Sequence, residues 1–370
     1  MNFHLAEEQD MLRDMLTRFL ADQYPCGVGH DGAASDTLWH ALAVTLGIVG
    51  AALPETAGGM GGGAVETMIV QEALGRARVI APYLETVVLG GGILRRVPGA
   101  PARAALTGII AGEIKIALAG AEPGASFESR AACLTARREG DGFRIDGRQA
   151  VVVGAPQADL LIVTAQIEGQ AGLSNWLVDA DTPEIERHDF RLIDDRPAAD
   201  LRFNAVYAPA NALLGDEGGA LPLLEQIADE GIAALCAEAV GVMRQMLADT
   251  VDYTRQRRQF GQPLASFQVL QHRMVDMYLA LEQAVSATYL ATLNLDADPV
   301  TRAKAVSAAK ATVGQSVRFV AQNAVQLHGA MGMTEELAIG RYFRRATVIE
   351  RQFGTADQHI ARYATLSRAA

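Results

Sequence analysis

The sequence predicts an α+β fold, mainly α, in which a middle β-barrel-like domain separates two helical ones. Three observations predict it. Apolar residues recur at helical spacing near the N-terminus, short β-rich runs broken by Gly, Asp and Pro fill the middle, and long helical stripes occupy the remainder. The domains are expected at 1–115, 116–220 and 221–370. At 370 residues the chain exceeds what one core ordinarily supports, so division is expected from length as well.

Over residues 7–20, Met11, Leu12, Met15, Leu16, Phe19 and Leu20 recur at spacings of three and four, the stripe of an amphipathic helix. The cluster Gly58-Gly59-Met60-Gly61-Gly62-Gly63 follows Leu53-Pro54-Glu55 and precedes a helical run over 65–76, so it is a loop feeding a helix N-terminus. Such a loop turns tightly or cradles a phosphate; without dinucleotide or P-loop spacing, a tight turn is expected. Within 116–214, Phe143-Arg144-Ile145-Asp146-Gly147, Leu160-Leu161-Ile162-Val163-Thr164 and Trp176-Leu177-Val178-Asp179 read as strands. From Leu221 onward Leu235, Ala239, Val240, Met243, Met246, Leu247 and Val251 share a helix face, and further helices are expected over 270–293, 300–327 and 335–349, lengths that suit an antiparallel bundle.

Lys and Arg number 32 against 43 Asp and Glu, a net charge of −11, which argues against a sequence-independent grip on nucleic acid or anionic lipid. Cys26, Cys133 and Cys236 are far apart and form no CxxC pair, so buried inert thiols are expected, with no disulfide framework and no metal site. The first ten residues carry acids where a signal peptide carries bases, and no uncharged apolar run reaches membrane-spanning length. A soluble, cytoplasmic protein is expected.

Several dispersed motifs accompany this layout. Ala121-Glu122-Pro123-Gly124-Ala125 is similar to a flavin-strand motif, Thr-Glu-Pro-x-Ala-Gly-Ser, and Arg202 through Gly215 is similar to the segment that closes a β domain. Arg257-Arg258-Gln259-Phe260-Gly261 matches Arg-x-x-Phe-Gly, and Gln326-Leu327-His328-Gly329-Ala330-Met331-Gly332 matches Gln-x-x-Gly-x-x-Gly. On these residues the chain resembles the acyl-CoA dehydrogenase family along essentially its whole length. More narrowly, residues 72–94, 229–242 and 318–332 are similar to the small subunit of two-gene members such as bacterial pimeloyl-CoA dehydrogenase.

The resemblance implies a C-terminal four-helix bundle, FAD as cofactor, an acyl-CoA substrate and an electron-transfer flavoprotein as acceptor. The implied reaction removes an α-proton from the thioester while flavin N5 takes the β-hydride, so it needs a carboxylate base in a water-poor pocket and donors for the thioester oxygen. The family's usual base is the Glu of a Tyr-Glu-Gly-Thr stretch; aligned on Gly354-Thr355, that position is Phe353, which takes no proton. A minority of members place the base on the first long helix of the C-terminal domain. Counting back from Phe260-Gly261 puts Gly231 there, with Glu230 one residue and about 100° of helix away. Glu230 is the candidate base if the helix is irregular at Gly231; otherwise it is a solvated or capping acid. Glu350 reads as a surface partner of Arg345 or Arg351.

The flavin strand is altered as well. Ala121 stands at the family's Thr, Phe127 at its Ser, and Val151 and Val153 at its Trp-x-Thr, which removes hydrogen-bond donors from a flavin bound by this chain's own β domain. The elements that reach a neighbour's FAD are kept. Arg257, Phe260, Gln326, Gly329, Gly332 and Thr355 are the cofactor candidates, Arg257 as a permanently charged fork and the glycines as points of close backbone approach. His328 reads as packed or bonded to backbone, and Trp39 and Trp176 as core or interface aromatics. Three readings stand: a subunit that completes FAD binding for a dehydrogenase-like partner, a self-sufficient homo-oligomeric dehydrogenase using Glu230, or a non-redox acyl-CoA-binding scaffold.

Overall fold

The first apolar stripe is part buried seam and part surface. It forms helix α1 (Glu7–Gln23), which buries Leu16 and Leu20 but leaves Met11 and Met15 exposed. The structure is a computed structural model that describes residues 5–24, 32–120 and 134–368. Cys26, Cys133, Phe127 and the motif at 121–125 therefore lie outside the described residues. Helices α2 (Gly32–His40), α3 (Ala64–Arg76), α4 (Gly91–Leu94) and α5 (Ala100–Ile110) complete the first helical part, and a π-helical turn at Leu84–Gly90 leads into α4.

The middle is a sheet of β1 (Ile116–Ala119), β2 (Leu134–Glu139), β3 (Gly142–Val153), β4 (Leu160–Ile167), β5 (Ser174–Asp179), β6 (Ile185–Arg191), β7 (Pro197–Pro209) and β8 (Leu213–Leu214). Its path is β6-β7-β3-β2-β4-β5-β8, with β1 beside β4; β4 pairs parallel with β1 and β2, and all other pairs are antiparallel. The expected barrel-like domain is thus a single sheet running from β6 at one edge to β8 at the other among the described residues. Buried residues of β3, β4, β5 and β7, among them Phe143, Leu161, Val163, Trp176 and Phe203, form one core, with Phe143 edge-on to Trp176 at 5.3 Å, and β4 is buried along most of its length.

The C-terminal part holds α6 (Leu221–Gln256), the hairpin β9 (Arg258–Gln259) and β10 (Gln262–Pro263), α7 (Gln268–Leu293), α8 (Pro299–His328), α9 (Ile339–Arg351) and α10 (Ala356–Arg368). The expected helices all form, and α10 is additional. Asp298 sets the start of α8: its carboxylate accepts from the Val300 and Thr301 amides, both at 3.1 Å, while Pro299 fills the first turn. Helix α6 has the length and apolarity to cross a membrane, but 78% of its most apolar window is buried within the protein, as in a core helix.

By compactness the chain divides into two units. One comprises Met1–Gly29, Ala64–Val79 and Ile232–Ala370; the other comprises His30–Gly63 and Ile80–Gly231. In the first unit α3 and α6 cross at glycines, since a Cβ at Gly75 would lie 2.2 Å from the Glu238 carbonyl oxygen and one at Gly241 2.0 Å from that of Glu72. In the second, the amides of Gly59, Met60, Gly61 and Gly62 all donate to carbonyls of residues 50–54. The glycine-rich loop is therefore a tight turn whose N–H groups are already used.

Candidate functional site

Arg257 sits just past the last turn of α6, where its amide donates to the Tyr253 carbonyl at 2.8 Å. The chain then reverses through the β9–β10 hairpin. Phe260 and Gly261 occupy its turn with φ of +53° and +78°, the left-handed pair that a two-residue hairpin loop of type I′ demands. The Phe260 ring is 89% exposed and meets Phe267 edge-on at 6.1 Å. On the facing element, α8 ends at His328 and Gly329 turns the chain with φ +60°.

These elements line an open cavity of about 550 Å³ whose walls include Tyr253, Arg257, Arg273, Gln326, His328 and Gly329. Among the described residues, neither the Arg257 nor the Arg273 guanidinium has a hydrogen-bond or ion-pair partner. Two unpaired guanidiniums and a side-chain amide make a donor set suited to an oxyanion, above all a phosphate or pyrophosphate. His328 is buried, and burial pushes its imidazole below the usual range; its Nδ1 lies 2.8 Å from the Ala324 carbonyl oxygen. Its ring stacks on Tyr253 at 4.4 Å, and the Tyr253 hydroxyl donates to the His328 carbonyl. The pair fixes one wall of the cavity.

Arg257, Gln326 and Gly329, singled out from sequence, therefore come together. Phe260 lies on the adjacent hairpin outside the lining. Gly332 is buried and does not line the cavity: a Cβ there would meet the Val325 carbonyl oxygen at 2.8 Å, so glycine is required by the turn itself. Thr355 precedes α10, where its amide donates to Gln358 Oε1 at 2.8 Å. Tyr253 and Arg273 were not anticipated. Tyr253 stands one helical turn before Arg257, which was the available signal; Arg273 faces the cavity only because α7 packs beside α8.

Glu230 belongs to the other unit. Helix α6 is regular α through Gly231, so the irregularity that would re-aim the side chain is absent. Glu230 is 8% exposed. Its Oε2 accepts from Arg95 at 3.0 Å and from Arg96 at 3.2 Å, and its Oε1 accepts from Arg96 Nη2 and from Gln226. It is a buried carboxylate between two guanidiniums, and the solvated or capping acid is corrected accordingly. Glu350 pairs with Arg318 at 3.3 Å, while Arg345 forks onto Glu238, with both bonds 2.6 Å long. The expected partners Arg345 and Arg351 are thus replaced by Arg318. Phe353 lies in the turn between α9 and α10 with φ +60°. Val151 occupies a β-bulge of β3 with φ +55°, its amide held by Asp200 at 2.8 Å.

Comparison with known proteins gives the class. Residues 6–113 match the acyl-CoA dehydrogenase N-terminal domain and residues 223–365 the acyl-CoA dehydrogenase C-terminal domain. A variant of the Tcur3481-Tcur3483 steroid ACAD superposes with a TM-score of 0.87 at 30% identity, covering 98% of each chain. The probable acyl-CoA dehydrogenase YngJ of Bacillus subtilis is 27% identical over 96% of this chain and 97% of its own length. Butyryl-CoA dehydrogenase of Megasphaera elsdenii shares the fold, with a TM-score of 0.89 at 24% identity over the whole of both chains. The chain belongs to the acyl-CoA dehydrogenase family, whose members are FAD-dependent oxidoreductases acting on the CH–CH group of acyl-CoAs.

Proposed function

We propose that this chain is the FAD-completing subunit of a hetero-oligomeric acyl-CoA dehydrogenase, similar to the small subunit of two-gene members such as pimeloyl-CoA dehydrogenase. The observation that carries the reading is the pairing of a kept donor set with a missing base: Arg257 and Arg273 face a cavity unpaired, while the family's base position is Phe353. Glu230 supports the same reading, because both of its oxygens are engaged by Arg95 and Arg96. FAD, when bound, supplies the hydride acceptor. Arg257 and Arg273 would bind its pyrophosphate oxygens, Gln326 would donate an amide hydrogen bond, and Gly329 would admit its backbone-close approach. Phe260 at the hairpin tip would pack on the partner's side of the cofactor.

The partner supplies the carboxylate that removes the α-proton. The double name of the Tcur3481-Tcur3483 steroid ACAD is that of a two-component enzyme and supports an assembly of this kind. The thioesters proposed are bulky or dicarboxylic ones, the acceptor an electron-transfer flavoprotein and the compartment the cytoplasm. Co-expression with a neighbouring dehydrogenase-like chain tests the reading through the absorbance spectrum and FAD content of the purified complex. One FAD per pair of chains, with little flavin on this chain alone, is expected. A fully flavinated chain that turns over a thioester unaided would establish the self-sufficient enzyme instead, and acyl-CoA binding without flavin in either preparation would establish the scaffold.

A further inference from the structure

The turn that carries Phe353 keeps an expensive scaffold although its side chain has no proton to move. Lys310, 1% exposed on α8, donates from Nζ to the carbonyls of Ile349 at 2.8 Å and Glu350 at 3.0 Å, closing the C-terminus of α9. His359, fully buried on α10, lies with Nε2 2.8 Å from the Phe353 carbonyl oxygen. A carbonyl only accepts, so Nε2 carries the proton, and Nδ1 is left buried without a partner. Arg345, forked onto Glu238, also reaches Gln352 Oε1 at 3.4 Å. Three costly features thus meet in one turn: a buried lysine, an orphaned imidazole nitrogen and a left-handed Phe353. Such features persist where the surrounding structure has a geometry to hold.

We propose that Lys310 and His359 are positioning residues, which hold the backbone of the Phe353-Gly354-Thr355 turn in the shape that Thr355 needs to serve FAD in the assembled enzyme. The inference rests on the FAD-completing reading and on Thr355 as the cofactor residue that the family resemblance implies. Burial pushes the Lys310 ammonium down to about 8 and the His359 imidazolium down to about 4, so near neutral pH the lysine is mostly charged and the histidine is the neutral Nε2–H form that the bond requires. Cys236, Glu350 and Arg345 are the titratable groups facing Lys310, and Lys310 and Arg362 those facing His359.

The test uses His359→Leu, Lys310→Met and the conservative His359→Gln, whose amide can still donate to the Phe353 carbonyl. In the chain by itself, hydrogen exchange is read at the Gly354 and Thr355 amides, which are held by Arg351 and Gln358. In the co-expressed complex, the FAD dissociation constant is read. Both disruptive variants are expected to speed exchange and weaken FAD by about tenfold, equivalent to about 1.4 kcal/mol, with His359→Gln close to wild type on both readouts. Unchanged exchange in His359→Leu overturns the clamp. Faster exchange with unchanged FAD affinity overturns its service to the cofactor and leaves a purely structural turn. Should Lys310→Met fail to fold, the His359 pair decides. A wild-type complex without FAD defeats the underlying reading, a result separate from the exchange arm.

Discussion

His359 titrates in a direction that can be checked. Its folded value of about 4 lies below the ordinary 6.5, so between those limits the unfolded chain binds a proton that the native state refuses. Stability from this site is therefore full above about pH 6.5 and is lost as pH falls toward 4, by about 3 kcal/mol. Urea unfolding across that window should show the slope in wild type, and His359→Gln should flatten it. Glu230 gives a second check. Removing its charge strands two partly buried guanidiniums, so Glu230→Gln should lower unfolding stability by about 3 kcal/mol. A displaced base predicts otherwise: loss of turnover with stability intact.

Elements rather than single side chains decide how the helices of the first unit meet. Gly75 and Gly241 let the backbones of α3 and α6 touch, and neither α-helical periodicity nor propensity announces that contact, since a glycine inside a helix is by itself only a weak point. Gly241→Ala should force the helices apart and cost about 3 kcal/mol in unfolding stability, whereas alanine at an open helix position would stabilise. Strands β3, β4 and β5 were legible in the sequence as short β-rich runs bounded by Gly, Asp and Pro. The Val151 bulge was not, because it depends on Asp200 of the neighbouring strand capturing the amide.

Across the molecule, the proposed FAD role divides the cofactor candidates into Arg257, which would bind, and Gly332, which shapes its turn. Arg257→Gln should leave thermal stability unchanged, since the guanidinium has no partner among the described residues, and should weaken FAD binding by the assembled complex about tenfold or more, with reduced salt dependence. Gly332→Ala should do the reverse, lowering stability through its 2.8 Å approach to the Val325 carbonyl oxygen while any retained complex binds FAD normally. Calorimetry and flavin titration on the same preparations would distinguish the two classes of effect.

The sequence by itself determined the helical, β and helical succession and the glycine turn after α8, and through the family resemblance it set Phe353 against the usual base position, because each is written in residues that are neighbours along the chain. Only the tertiary structure decided that Glu230 lies between Arg95 and Arg96, that Arg273 joins Arg257 at one cavity, and that Lys310 and His359 close on the Phe353 turn. Those pairings link residues far apart in sequence, and the charge of a buried side chain is satisfied by whatever the packing of helices brings within about 3 Å, which local pattern does not encode.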